Sequence, residues 1–357
     1  MYAKQEKTTV TFAQLFKMFP DGNSARKFIE KIRWNGHVVC PFCGSDHVTE
    51  RSGSREGYFR CNGCRKEFTV RTDTIMERSH IPLNKWIYTI YKFVTQRHGI
   101  SSLQVSKEIG VSEHAAWYLL SRIRLAAGNG DNLLKGIVEA DETYIGGKEK
   151  FKHSKKKSRA GRGAAGKTPV FGLVERNGRV VARVVDNTKT DTLFDIFKKH
   201  VAKDATVYTD EFTSYDNLSN IGYEHGRVNH SAGKYVDGSA HTNATESVWN
   251  SLKKSIVGIY HSVSVKHLQK YVDETTFRLN EGRCEAKTMD RIESMIAKSF
   301  GIVTRYKVLI GTHVFEKDLI TANDRLIEVK MNNNFEICEC AISEDYSWKK
   351  EIGYIAA

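Results

Sequence analysis

Long apolar runs are missing from this chain of 357 residues. No stretch reaches the roughly 18 consecutive apolar residues that a membrane-spanning helix requires. The first 11 residues are largely polar and lack the apolar segment of a secretory signal. These absences argue against a membrane protein and against an exported one. We therefore expect a soluble protein that stays in the cytoplasm and contacts no membrane.

Acidic residues are also in short supply, because 55 Lys and Arg face only 42 Asp and Glu, which gives a net charge of +13. Residues 301–357 hold seven basic and nine acidic residues, so the whole excess lies in the first 300 residues. A basic surface favours nucleic acid, since neutralising phosphates releases condensed counterions. A basic surface that is merely solvated is the alternative.

Cysteines are few as well, with seven in the chain, and without an export signal they do not suggest a disulfide framework. Four of them form two Cys-x-x-Cys pairs, Cys40 with Cys43 and Cys61 with Cys64, separated by 17 residues. Each pair fits a tight turn that directs two thiolates to one point, and four thiolates bind one zinc tetrahedrally at about 2.3 Å. The spacing predicts a zinc ribbon with one structural Zn²⁺. The ribbon is expected to bind either DNA or another protein.

A helical pattern follows the cysteines. Apolar spacing predicts one helix before Gly110 and another after Ser112, a residue suited to cap the second helix. Two helices joined by a tight turn are typical of the helix-turn-helix, whose second helix enters the major groove. We therefore predict DNA contacts from Arg122 and Arg124. A plain helical linker would show nearly the same pattern.

Strands alternate with a helix from residue 135 onward. One short apolar run ends at Asp141 and a second ends at Asp210, with a hairpin signal at Asn177-Gly178 and a helix between them. The order strand, hairpin, helix, strand, helix resembles the ribonuclease H-like fold. In that fold the first strand lies beside the strand that follows the first helix, so the two aspartates are expected to meet.

A third acid, Glu246, begins the next predicted helix, with 35 residues between it and Asp210, and Lys253 lies two turns further along the same face. Cutting a phosphodiester bond in line requires charge neutralisation at the attacking and leaving oxygens, which two Mg²⁺ ions about 3.5–4 Å apart supply. Mg²⁺ prefers oxygen ligands, so a cluster of carboxylates suits it. Asn243 competes with Glu246 for the third position, because an amide oxygen also binds a hard cation.

These residues and spacings resemble the DDE transposases and retroviral-type integrases. The zinc ribbon, the helices and the segments 138–147, 208–211 and 241–246 look like bacterial insertion-sequence transposases that join a zinc ribbon to a DDE domain. The resemblance implies recognition of terminal inverted repeats, then metal-dependent DNA cleavage and strand transfer by multimers. It implies two Mg²⁺ (or Mn²⁺) per active site, with Asp141 and Asp210 bridging the ions and Lys253 steadying the DNA.

Further basic residues are candidates for DNA contact. Residues 148–167 contain nine Lys and Arg and one acid, so this loop either grips phosphate or is merely solvated. Trp249 is either a core residue or a platform for base stacking, and His241 either caps or packs the helix or lies near the metals. The additional predicted DNA contacts are Lys155, Lys156, Lys157 and Lys254.

The expected architecture is multidomain α/β. It comprises a helical segment (1–35), a zinc ribbon (36–73), a helix-turn-helix region (80–130), a ribonuclease H-like mixed α/β catalytic domain (134–285) and a small β-rich tail of unknown role (300–357). Two other functions fit the same motifs. A structure-selective nuclease of the same fold would cut without joining, and a zinc-ribbon regulator with an inactive catalytic domain would bind DNA without cutting.

Overall fold

The computed structural model describes residues 9–128, 133–147, 166–210, 213–215, 217–227, 243–282, 286–304 and 309. Some predictions fall outside these ranges, namely the contacts from Lys155, Lys156 and Lys157, the role of His241 and nearly all of the predicted β-rich tail. No helix in the described ranges is long and apolar enough to cross a membrane.

Two capped helices come first, α1 (Phe12–Met18) and α2 (Gly22–Trp34). The Asp21 side chain accepts a hydrogen bond from the Ser24 backbone N–H at 2.8 Å. This cap satisfies a donor that the first turn of a helix leaves unpaired. Both helices agree with the apolar spacing of the sequence.

The zinc-ribbon region forms a three-stranded antiparallel sheet of β1 (Val48–Glu50), β2 (Tyr58–Cys61) and β3 (Glu67–Thr69). Its aromatic residues Phe59 and Phe68 stack 5.6 Å apart, and both contact Trp34 of α2. The apolar side of the ribbon is buried in a core that it shares with the helices around it.

Three helices follow the ribbon: α3 (Leu83–Thr95), α4 (Ser102–Ile109) and α5 (Glu113–Ala127). Gly110 ends α4 in the left-handed conformation (φ 63°), which suits a residue without Cβ. Ser112 then caps α5 by accepting a hydrogen bond from the Ala115 backbone N–H at 3.2 Å. The predicted helix, tight turn and second helix are therefore present as α4 and α5.

A five-stranded mixed sheet is built from strands that lie between residues 137 and 227. Its elements are β4 (Ile137–Ile145), β5 (Thr168–Glu175), β6 (Val180–Val184), α6 (Thr190–His200), β7 (Thr206–Thr209) and β8 (Glu224–Arg227). The strand order is β6-β5-β4-β7-β8, antiparallel from β6 to β4 and parallel from β4 to β8. The first strand therefore lies beside the strand after the helix, and the predicted ribonuclease H-like order is confirmed.

The remaining helices are α7 (Asn243–Ser255), α8 (Val265–Glu281) and α9 (Thr288–Lys298). The sequence pattern did not predict α9. It packs with the N-terminal helices, since Ile292, Met295 and Ile296 belong to the core that contains Trp34 and Trp86. The chain thus returns to its N-terminal half after completing the sheet.

Two further cores lie on the two faces of the sheet. Phe171 of β5 packs with Phe197 of α6 and Tyr215 on one face. Val170, its neighbour in β5, packs with Trp249 of α7 on the other face. This follows from the alternation of side chains along a strand. Successive residues of β4 accordingly face α6 and α7 in turn, and so do the candidate active-site residues on this strand.

Candidate active site and zinc centre

The four cysteines of the ribbon converge on one point. The ligand atoms of Cys40, Cys43, Cys61 and Cys64 all lie within 4.8 Å of one another. The Sγ atoms of Cys40 and Cys64 are 3.6 Å apart, as are those of Cys43 and Cys61. Sulfurs bound tetrahedrally to zinc at about 2.3 Å would be separated by about 3.8 Å. The donor set therefore fits a structural Zn²⁺, as the spacing predicted.

Asp141 lies on β4, and Asp210 directly follows β7, the parallel neighbour of β4. The last residues paired between these two strands are Glu139 and Tyr208, two residues before each aspartate. The charge of Asp210 contributes to the raised pKa of Asp141, so the two carboxylates lie near each other. We predicted that the first strand ends at Asp141, but β4 continues to Ile145. The strand that ends here is β7, so its termination opens the sheet beside Asp141. The two aspartates share this opening.

The helix α7 covers the face of the sheet that Asp141 points toward. Trp249 of α7 is only 4% exposed, and its Nε1 donates a hydrogen bond to Asp141 Oδ2 at 2.8 Å. Trp249 is therefore a core residue that also orients the carboxylate. The sequence offered both a core and a base-stacking interpretation of this tryptophan, and the structure confirms the core.

Glu246 lies in the first turn of α7 and is exposed. Its negative charge contributes to the raised pKa of Asp141, so the third acid acts on the first one. Asn243 is the first residue of the same helix and is also exposed. Lys253 and Lys254 are exposed near the end of α7, where their side chains are open to a ligand.

Like charges repel one another in the acidic cluster of Asp141, Asp210 and Glu246. Burial raises the pKa of Asp141 to about 6, and repulsion from Asp210 and Glu246 acts in the same direction, against the hydrogen bond from Trp249. A hard divalent cation would relieve this repulsion, so the donor set fits Mg²⁺ or Mn²⁺. Among the described residues, the four cysteines are the only group of three or more His, Cys, Asp or Glu residues whose ligand atoms all lie within 4.8 Å of one another. Asp141, Asp210 and Glu246 are therefore less tightly gathered than the four thiolates.

Glu142, the next residue of β4, faces the opposite side of the sheet. Its Oε2 accepts a hydrogen bond from the hydroxyl of the buried Tyr215 at 2.5 Å. Burial raises the pKa of Glu142 to about 7, and the charges of Asp210 and Asp141 act in the same direction. Sequence reasoning assigned no role to this carboxylate or to Tyr215. The alternation of side chains along β4 was the available signal that neighbouring acids would separate.

Gly172 leaves room for the indole that orients Asp141. It lies opposite Asp141 in β5, and a Cβ added to it would lie 2.4 Å from Trp249 Cη2. We expect Gly172→Ala to displace Trp249 and to lower the free energy of unfolding by about 1–3 kcal/mol, as overpacking does. Denaturant unfolding measures this loss. Gly258→Ala is the control, because its Cβ would meet nothing within 4 Å. Equal losses in both variants would contradict the steric explanation.

Arg122 and Arg124, predicted to contact DNA, are buried inside the protein instead. They are 4% and 2% exposed. Arg122 donates hydrogen bonds to the carbonyl oxygens of Ile75 and Glu77, at 2.6 and 2.9 Å. Arg124 Nε donates to Glu274 Oε2 of α8 at 2.7 Å. This burial contradicts the prediction, because the C-terminal half of α5 packs against α8 and the segment after the ribbon.

A pair of variants distinguishes burial from DNA contact. Arg124→Ala would leave Glu274 with less compensation in a fully buried position, which typically costs about 3–5 kcal/mol of stability. Lys253→Ala, at an exposed position, should change stability by no more than about 0.5 kcal/mol. Lys253→Ala should instead weaken DNA binding and reduce its salt dependence. Urea unfolding and DNA titration at several salt concentrations measure these effects, and a stable Arg124→Ala variant with weakened DNA binding would restore the original prediction.

The exposed part of α5 is its N-terminal half. His114 is exposed, and its ring is stacked 6.3 Å from that of the half-buried Trp117. Trp117 also meets the ring of His267 from α8 at 5.6 Å. An aromatic surface thus joins the second helix of the helix-turn-helix to α8. Sequence patterns did not indicate this surface, because His114 and His267 are far apart along the chain.

Comparison with known proteins agrees with this arrangement. Residues 133–280 match the ISXO2-like transposase domain, and residues 20–67 match the transposase zinc-ribbon domain. A protein in transposable element ISH50 of Halobacterium salinarum is 31% identical over 268 residues, which cover 72% of this chain and 90% of that protein. A transposase-like protein of Haemophilus influenzae is 29% identical over 109 residues, which cover 30% of this chain and 87% of that protein.

Solved structures show weaker likeness. A simian T-cell lymphotropic virus intasome in complex with PP2A regulatory subunit B56 gamma has a TM-score of 0.26 at 11% identity, covering 71% of this chain and 80% of that one. A pre-cleavage Mos1 transpososome has a TM-score of 0.21 at 12% identity, covering 60% and 78%. The two family matches and the relative in ISH50 carry the assignment. This chain belongs to the ISXO2-like transposases, with a transposase zinc ribbon preceding the transposase domain.

Proposed function

We propose that this transposase cuts DNA at the terminal inverted repeats of an insertion sequence and joins the freed 3′ ends to target DNA. The observation that supports the proposal is that Asp141 of β4 feels the charges of Asp210, directly after the neighbouring strand β7, and of Glu246 from α7. This is the constellation that two-metal phosphoryl transfer requires. It lies in a transposase domain on a chain with a net charge of +13.

Asp141, Asp210 and Glu246 would hold two Mg²⁺ or Mn²⁺ ions, with Asn243 as the alternative third ligand. When bound, the ions would neutralise charge on the attacking and leaving oxygens of the phosphodiester. Trp249 holds Asp141 Oδ2 by a hydrogen bond, so the carboxylate would meet a metal ion in a fixed orientation. Glu246 is favoured over Asn243 because it carries a negative charge, which raises the pKa of Asp141.

DNA recognition is proposed for the ribbon and the helix-turn-helix. In this motif the N-terminal residues of the second helix contact base edges, so the exposed half of α5 with His114 and Trp117 replaces Arg122 and Arg124 as the candidate interface. Lys253 and Lys254 would contact phosphates beside the active site. The sequence alone proposes the same role for Lys155, Lys156 and Lys157.

The remaining proposals concern assembly and location. Two element ends must be brought together for transposition, so we propose that the protein works as a homo-oligomer on double-stranded DNA. A bacterial element is transposed where its DNA is, so the proposed location is the cytoplasm.

The test uses the purified protein and DNA that carries the element's own terminal repeat, in Mg²⁺, in Mn²⁺ and in EDTA. Cleavage at the repeat end and joining to a plasmid, both dependent on the metal, are the expected results. Asp210→Asn should abolish both products while leaving repeat binding intact. Repeat binding without cleavage would favour the regulator with an inactive catalytic domain. Cleavage that ignores the repeat and never yields joined product would favour the structure-selective nuclease.

A further inference from the structure

Glu139 is a fully buried carboxylate in β4, two residues before Asp141 and on the same face of the strand. Its Oε2 accepts a hydrogen bond from the Ala244 backbone N–H at 2.9 Å. Its Oε1 accepts one from Arg176 Nε at 3.1 Å. Burying a charge is costly unless it is paired and hydrogen-bonded. An apolar residue would occupy this position at a lower desolvation cost, so the carboxylate indicates a role beyond packing.

Arg176 is itself held in place by the sheet. It follows β5, and its backbone N–H donates a hydrogen bond to the Ile137 carbonyl at 2.9 Å. Its guanidinium lies 5.3 Å from the ring centroid of Tyr208, which is paired with Glu139 across β4 and β7. Glu139 therefore links β4 to the Arg176 guanidinium through one carboxylate oxygen and to α7 through the other.

The contact with Ala244 anchors the start of α7. Ala244 is the second residue of the helix, where backbone N–H groups lack helical partners and negative charge is stabilised. Glu246 follows within the same turn. The second anchor is Trp249, whose indole holds Asp141. The two anchors lie on either side of Glu246 in the chain, and a helix between two fixed points holds its side chains in one orientation.

We propose that Glu139, oriented by Arg176, is a positioning residue of the active site. It fixes the first turn of α7 so that Glu246 faces Asp141. This inference rests on the proposed function, because it assumes that these two carboxylates bind the metal ions.

The experiment measures Mn²⁺ binding to the full chain by electron paramagnetic resonance and amide hydrogen exchange in α7. Glu139→Ala should raise the Mn²⁺ dissociation constant about 10- to 100-fold, as loss of supporting groups around metal ligands does. Glu139→Gln should recover part of this loss, because its amide oxygen can still accept the Ala244 N–H. Both variants should speed exchange in the first turn of α7, with Glu139→Ala the faster.

The matched control is Glu274→Gln. Glu274 is also fully buried and also paired with arginines, Arg124 and Arg278, but it lies on α8 away from the acidic cluster. It should lower the thermal midpoint while leaving the Mn²⁺ dissociation constant within about threefold of wild type. If Glu139→Ala behaves like this control, Glu139 is merely structural and the proposal is overturned. Glu139→Gln serves the same comparison if Glu139→Ala fails to fold.

A double variant tests whether Glu139 acts through Glu246. In a Glu246→Gln background, Glu139→Ala should cost little further Mn²⁺ affinity, whereas fully additive losses would refute action through Glu246. A wild-type protein that binds no Mn²⁺ would defeat the proposed function. Hydrogen exchange in α7 would then still test whether Glu139 positions this helix. Unchanged exchange rates in the Glu139 variants would overturn the positioning role with or without metal.

Discussion

Replacing Asp141 with asparagine is expected to slow DNA cleavage about a thousandfold or more. The amide oxygen can still accept the hydrogen bond from Trp249, so the fold should persist, but the charge that binds a divalent cation is lost. Metal ions stabilise the transition state by several kcal/mol. Each 1.36 kcal/mol is a factor of ten in rate, so a loss of about 4 kcal/mol gives this magnitude. Single-turnover cleavage of repeat-end DNA measures it.

The matched control for Asp141→Asn is Asp195→Asn. Asp195 is exposed on α6, which covers the other face of the sheet, and its loss should change the rate by less than about twofold. A cleavage rate for Asp141→Asn within tenfold of wild type would contradict the metal-ligand role.

Without metal, Asp141→Asn should be at least as stable as wild type at pH 8. Burial and repulsion raise the folded-state pKa of Asp141 to about 6, above its value in the unfolded chain. A group whose pKa is raised by folding stabilises the folded state at pH values below its unfolded-state pKa. This stabilisation is lost as the pH rises through about 6. The asparagine variant escapes the loss. Thermal melts at pH 5 and pH 8 without added Mg²⁺ or Mn²⁺ measure it, and a variant less stable than wild type at pH 8 would contradict the sign.

Replacing Cys40 with serine is expected to lower zinc affinity about a hundredfold and to unfold the ribbon. Structural zinc contributes about 10–16 kcal/mol in small zinc modules, so one of four thiolates accounts for about 3 kcal/mol. The effect should spread beyond the ribbon, because Cys40, Phe59 and Phe68 are buried in a core with Trp34. Bound zinc per chain and the thermal midpoint should therefore fall together.

Cys284→Ser controls for the loss of a thiol, because Cys284 belongs to neither Cys-x-x-Cys pair. It should keep one zinc per chain. Wild-type protein treated with a strong chelator should lose stability in the same way as Cys40→Ser. A zinc-free Cys40→Ser protein with an unchanged thermal midpoint would show that the shared core holds the ribbon without the metal.

Local patterns predicted much of this protein correctly. Two Cys-x-x-Cys pairs indicated four converging thiolates, because a tight turn and a zinc ion impose a short, fixed spacing. Apolar runs that ended near Asp141 and Asp210 predicted two strands, and the resemblance to the ribonuclease H-like fold implied that these strands are neighbours. The hairpin at Asn177 follows from the same kind of local rule, since its φ of 61° is one that asparagine tolerates.

Contacts between distant residues were not predictable in this way. Arg124 had the spacing of a DNA-contacting residue, yet it pairs with Glu274, 150 residues away. Trp249 holds Asp141 across 108 residues, and Glu139 reaches Ala244 across 105. A charge pattern on one helix does not show which face another helix covers. Exposure of a basic residue is therefore a property of the packed chain.

The strands, the helices and the thiolate cluster thus follow from short-range patterns, since backbone geometry and ligand chemistry act over a few residues. The three acids remain a prediction of the sequence. Which charged groups point outward and which are buried followed from the packing of α5, α7 and α8 against each other and the sheet. That packing depends on shape and burial summed over the whole chain. For this reason the sequence placed Arg124 at the DNA, and the structure placed it in the interior beside Glu274.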